Sequence, residues 1–160
     1  MSGQERQPMT SEGKTKLENE LRHLMHTERP QIIKAIEEAR SNGDITENAD
    51  YDAAKERQAF CESRISDIQV KIANAEVIDT KSLKSEKVIF GAFVILQDVE
   101  SNDEVTYQIV GEDESDVKSG KISVFSPLAR AVIGKKKGDS VELKSPKGEK
   151  EYEIKNFFFR

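Results

Sequence analysis

The sequence contains no Trp, a single Cys and four Pro, and its aromatic residues amount to three Tyr and seven Phe in 160 residues. The lone Cys61 excludes an intrachain disulfide or a thiolate cluster, so any bound metal must rely on oxygen and imidazole ligands. Long apolar runs are also missing. The best of them, Phe90 to Leu96, is far shorter than the ~18–20 residues that cross a bilayer. Residues Met1 to Thr10 lack the apolar core of a signal peptide. No membrane association and a cytoplasmic location are expected. Hydrophobic residues make up 36% and charged ones 34%, a balance suited to a chain with a long solvated helical part. The length allows one domain or two small ones.

Charge and aromaticity divide the chain. Residues 1–80 carry 11 Lys and Arg against 16 Asp and Glu, whereas residues 81–160 carry 14 of each. Only Tyr51 and Phe60 among the aromatics precede residue 80. The boundary is therefore drawn between 1–79 and 80–160.

From Thr10 to Ala75 apolar residues recur at helical spacing. Tyr51, Ala54, Gln58, Cys61, Ile65, Ile68, Ile72 and Ala75 step by alternating threes and fours, the seam of a coiled coil. Leu17, Leu21, Leu24, Met25, Ile32, Ile36 and Ala39 supply a facing stripe whose phase slips near Met25 and Pro30, which predicts a kink or stutter there. Thr10 or Ser11 followed by Glu12 marks the start of the first helix, and Asn42-Gly43 its end. Two helices joined by a tight turn follow. About 32 residues make a helix of roughly 48 Å, so the turn must project from so small a protein.

Thr80 to Lys87 is polar and reads as a linker, after which the period becomes two. Val105, Tyr107 and Ile109 alternate with polar residues, as do Val141 and Leu143, and Ser145-Pro146-Lys147-Gly148 turns into a strand over Glu151 to Phe158. Ser126, Pro127 and Gly134 bracket a short helix by cap, first-turn proline and terminal glycine. The expected fold class is α+β: an antiparallel helical hairpin, then a small antiparallel β domain with one short helix.

The projecting turn carries Asp44 and Glu47, three residues apart. This spacing forms a capping box at a helix start. It also suits a pair of hard oxygen ligands for Mg²⁺, which takes one or two protein carboxylates and completes its shell elsewhere. Spacing alone leaves both readings open. His23 and His26 lack a third ligand, Lys135-Lys136-Lys137 lacks a phosphate-loop pattern, and Glu112-Asp113-Glu114 lacks the central glycine of a calcium loop.

Gly43-Asp44-Ile45-Thr46-Glu47-Asn48-Ala49-Asp50-Tyr51, continued by Ala53-Ala54-Lys55-Glu56, resembles the tip motif of the bacterial Gre transcript cleavage factors. Arg29-Pro30, Phe60-Cys61-Glu62-Ser63-Arg64-Ile65, Ile109-Val110-Gly111-Glu112-Asp113-Glu114 and Ser126-Pro127-Leu128-Ala129-Arg130 follow the GreA branch of that family in the same order, over roughly residues 9 to 155. Ile45 stands where Leu is usual and Asp50 where Glu is.

The resemblance implies an FKBP-like C-terminal domain that docks at the rim of the secondary channel of bacterial RNA polymerase, and a hairpin that runs down the channel to the active centre. There Asp44 and Glu47 would help hold a Mg²⁺ shared with the polymerase, not bound stably by the free protein, while the polymerase cuts the 3′ end of backtracked nascent RNA. The protein would not be catalytic alone, and a monomer is expected. Arg40, Lys55 and Arg57 are candidate contacts for RNA phosphates, with Asn48 and Tyr51 nearby. Arg40, Lys55 and Arg57 are equally readable as solvated helix residues, and Tyr51 as part of the seam. Ser126 and Pro127 are candidate polymerase contacts as well as helix-start residues. The intact tip acids favour cleavage stimulation over inhibition. An inhibitory or non-cleaving secondary-channel regulator of the same scaffold, a coiled-coil adaptor or chaperone, and a prolyl isomerase are the competing readings.

Overall fold

The computed structural model describes residues 6–43 and 48–160. By contact they form two compact units, Lys14–Ala75 and the described residues 6–13 with Glu76–Arg160. The sequence boundary at 79/80 assigned residues 6–13 to the helical part; in space they group with the sheet.

The first unit is a helical hairpin. Helix α1 (Ser11–His23) starts inside the second unit and continues through a π-helical segment, Leu24–Glu28, into α2 (Arg29–Ser41); α3 (Ala49–Ala73) forms the other arm. The phase slip anticipated near Met25 and Pro30 is this π segment. Pro30 has no N–H to donate, and the Arg29 N–H reaches back five residues to the Leu24 carbonyl. The wider turn inserts a residue and resets the apolar phase.

Ile32, Ile36, Ala54, Cys61 and Ile65 are buried together, with Leu21, Leu24, Met25, Ala35 and Tyr51 packed around them. Of the seam read from sequence, Ala54, Cys61, Ile65, Ile68 and Ala75 are buried and the others are half-buried. Contacts between the arms run in opposed directions: Asn48 to Ala39, Glu62 to Arg29 and Arg64 to Glu20. The last two are two-pronged guanidinium–carboxylate pairs. Arg29 meets Glu62 at 2.8 and 2.7 Å, and Arg64 meets Glu20 at 2.5 and 2.8 Å. The Arg64 hydrogen bond holds the Glu20 carboxyl below its ordinary pKa.

In the second unit β1 (Gln7–Thr10) pairs with β2 (Ala75–Ile78) in a two-stranded sheet that carried no sequence signal. The main sheet has five strands: β3 (Phe93–Asp98), β4 (Glu104–Val110), β5 (Lys121–Ser123), β6 (Ser140–Ser145) and β7 (Gly148–Phe158), in the order β5-β4-β3-β7-β6. Three of the four strand pairs are antiparallel, as expected of a small antiparallel sheet, and one departs from that pattern. Strands β4 and β5 run parallel, Gln108 to Val110 beside Lys121 to Ser123. Parallel neighbours require a crossover instead of a tight hairpin, and two short 3₁₀ turns, Glu112–Glu114 and Val117–Ser119, provide it.

Helix α4 (Pro127–Val132) contributes Ala129 and Val132 to a core with Val88, Val94, Leu96, Ile109 and Ile154. The polar stretch after Ile78 is not a free linker throughout. Thr80 is buried, and its hydroxyl donates to the Arg160 carbonyl at 3.1 Å.

Candidate functional site

The turn of the hairpin is framed by the C-terminal end of α2 and the first turn of α3. Asn42 caps α2, and Gly43 has φ +134°, a conformation that glycine adopts without a Cβ clash. Asp44 and Glu47, on which the Mg²⁺ expectation rests, fall in residues 44–47 and lie outside the described residues.

Asn48 opens α3. Its side-chain oxygen accepts from the Tyr51 N–H at 3.1 Å, while its amide nitrogen donates to the Ala39 carbonyl at 2.6 Å. One residue thus satisfies an orphan donor of α3 and binds the end of α2. The sequence marks such an asparagine as a cap; the cross-arm bond depends on where Ala39 lies in space.

Tyr51 packs half-buried on the seam, and the Arg40 guanidinium sits 5.9 Å from the centre of its ring. Lys55 and Arg57 are exposed on α3. The Lys55 ammonium donates to Gln58 at 2.9 Å, and Arg57 lies 3.8 Å from Glu28 across the arms. Arg40, Asn48 and Tyr51 therefore gather beside the turn, with Lys55 and Arg57 farther along α3. Acids share this end: Asp50 and Asp52 occupy the first turn of α3, where the helix dipole favours negative charge.

Two concavities flank these residues. One of about 270 Å³ is lined by Ala35, Glu38, Asn42, Asp50, Ala53 and Arg57. Another, of about 550 Å³, lies at the π segment between His23, Leu24, Glu28, Ile32, Phe60 and Cys61. Phe60 is 77% exposed at its rim, a feature that the heptad pattern does not reveal. Cys61 is buried, and desolvation pushes its thiol pKa upward, which disfavours the nucleophilic thiolate. Among the described residues no group of three or more His, Cys, Asp or Glu could hold a metal ion.

In the second unit Ser126 caps α4. Its hydroxyl donates to the Ser123 carbonyl at 2.7 Å and accepts from the Ala129 N–H at 3.3 Å, and Pro127 follows in the first turn. Pro127, Arg130 and Phe125 are exposed, Phe125 at 42%, so Ser126 and Pro127 sit beside an aromatic surface residue that sequence reasoning did not single out. No helix among the described residues is long and apolar enough to cross a membrane.

Residues 7–77 match the family model described as "Transcription elongation factor, N-terminal", and residues 83–157 the model "Transcription elongation factor, GreA/GreB, C-term". The transcription elongation factor GreA of Hyphomonas neptunium (strain ATCC 15444) is 57% identical over 150 residues, covering 94% of this chain and 96% of that protein. GreA of Anaeromyxobacter sp. (strain K) is 55% identical over 155 residues, covering 97% and 93%. Among solved structures, GreA factor homolog 1 (Gfh1) of Thermus thermophilus overlays with a TM-score of 0.44 at 25% identity, over 96% of this chain and 99% of that one, a likeness too loose to add to the assignment. With both family models matched in order and relatives this similar across nearly the whole length, the chain belongs to the GreA/GreB family of transcription elongation factors.

Proposed function

We propose that the chain is an elongation factor that binds bacterial RNA polymerase in the cytoplasm and stimulates the polymerase's own cleavage of backtracked nascent RNA. The family assignment carries this reading. The hairpin suits it physically: its two arms share a buried seam and two cross-arm ion pairs, and the residues that join them in sequence include Asp44 and Glu47. In this reading the stalk enters the secondary channel, and the α4 region, with Ser126 and Pro127, meets the channel rim.

The donor set at the turn fits Mg²⁺ in kind, since Asp44 and Glu47 offer hard anionic oxygens, but not in number. Asp44 and Glu47 would supply two ligands of a shell whose other ligands would come from the polymerase. The shared ion, when bound, would lower the pKa of a water and stabilise charge on phosphate oxygens. The residues of this chain supply ligands and position. Arg40, Lys55 and Arg57 attract the extruded RNA 3′ end, and Asn48 ties the start of α3 to the end of α2. The free protein hydrolyses nothing and holds Mg²⁺ weakly.

A stalled elongation complex with end-labelled RNA tests this. Wild-type protein should release short 3′ fragments. Asp44→Asn combined with Glu47→Gln should slow release by more than the ~10–100-fold typical of losing outer-shell metal partners, while binding to polymerase persists. Full cleavage by the double variant would overturn the shared-ligand reading. An adaptor whose tip acids act only as caps would lose about 1 kcal/mol of stability and no activity.

A further inference from the structure

The acidic triplet Glu112-Asp113-Glu114 has no calcium-loop pattern, yet its last carboxylate sits at the centre of a hydrogen-bond cluster. Glu114 Oε2 accepts from the Thr10 N–H at 3.0 Å and from the Gly111 N–H at 2.9 Å, and Oε1 accepts from the Thr10 hydroxyl. The Thr10 hydroxyl oxygen in turn accepts from the Gly13 N–H at 3.0 Å. Thr10 is only 3% exposed, so its hydroxyl has no water to turn to if the carboxylate is withdrawn.

Backbone space agrees with these bonds. A Cβ on Gly13 would collide with the Glu114 side chain, at 2.6 Å from its Cγ, and a Cβ on Gly111 would lie 2.5 Å from the Pro8 carbonyl oxygen. Both glycines clear room for the loop at 111–114 to close on residues 8–13. All of these groups belong to the second unit.

We propose that Glu114 is a positioning residue that caps α1 from 104 positions away: through the Thr10 hydroxyl its negative charge reaches the amides at the start of the helix, and it clasps residues 6–13 onto the sheet unit as a strap that opens and closes as one piece. A carboxylate is suited to this task because charge-assisted hydrogen bonds are about twice as strong as neutral ones and because helix N-termini favour negative charge. The inference rests on geometry and is independent of the transcription reading.

Backbone amide hydrogen exchange on the full chain tests it. In Glu114→Ala and in Thr10→Val the amides of Thr10, Gly13 and Gly111 should exchange at least about tenfold faster, as in a local opening, while those of Leu96 and Ile109 in the sheet keep their protection. Thr10→Ser should restore the wild-type rates. At Thr10 and Gly111, whose amides donate to the Glu114 carboxylate, the double variant should exchange no faster than Glu114→Ala alone, because both changes break one clasp. Unchanged rates in either single variant would overturn the proposal, as would losses that multiply in the double variant. Equal loss of protection in the sheet would overturn it too, since that marks general destabilisation.

Discussion

The hairpin and the sheet unit reach stability by different means. The hairpin buries a narrow seam, Ile32, Ile36, Ala54, Cys61 and Ile65, and adds two-pronged ion pairs across its arms. The sheet unit buries a broader cluster in which Leu96, Ile109, Ala129, Val132 and Ile154 are fully enclosed. A seam one residue wide leaves most side chains in water, which explains both the high charge content of the first half and its readable period. A core assembled from five strands and a helix draws on residues far apart in the chain, and its stability depends on strand register.

The largest effect should separate the two units. Leu96→Ala opens a cavity in the sheet core and should cost about 2–5 kcal/mol. Two-probe thermal unfolding would then show amide signals of the β-strands disappearing while the helical circular dichroism persists; simultaneous loss would mean that the two units melt as one.

A smaller effect, about 1–2 kcal/mol, is expected for Asn48→Ala, which removes a helix cap and the bond to Ala39. It should lower only the hairpin transition, measured by chemical denaturation.

Acid should act on the hairpin more gently still. Glu20 has a lowered pKa, so its pairing with Arg64 stabilises the folded state above the unfolded glutamate value and is lost as pH falls through the lower folded one. Since both partners are partly exposed, the loss should amount to ~0.2–1 kcal/mol on descending below about pH 4.3, and Glu20→Gln should remove this pH dependence. The smallest effect concerns Cys61. With its thiol pKa raised by burial, alkylation at neutral pH should be slow in the folded hairpin and become rapid only on unfolding, as mass spectrometry would register.

The contrast also governs how much was legible beforehand. The seam from Tyr51 to Ala75, the phase slip at Met25 and the bracket from Ser126 to Gly134 all depend on neighbours three to eight residues away, and each has its structural counterpart. The tip motif marked Asp44 and Glu47 as the acids of interest, but their placement lies outside the described residues. Arg40 beside Tyr51 and Arg57 beside Glu28 had no sequence signature, because side chains on separate turns or arms meet only once the helices pack. Phe60 lies one residue off the seam, and only the packed arms place it, 77% exposed, at the rim of a concavity.

Periodicity, caps and motif spacing are written in local order, so the helical hairpin, its irregularity, the short capped helix and the family could be read from residue order. That β1 joins β2, that β4 and β5 run parallel, and that Thr10 meets Glu114 emerge in the folded chain alone. Those pairings join residues from 13 to 104 positions apart, and a chain's local preferences carry no record of which distant backbone groups will satisfy one another.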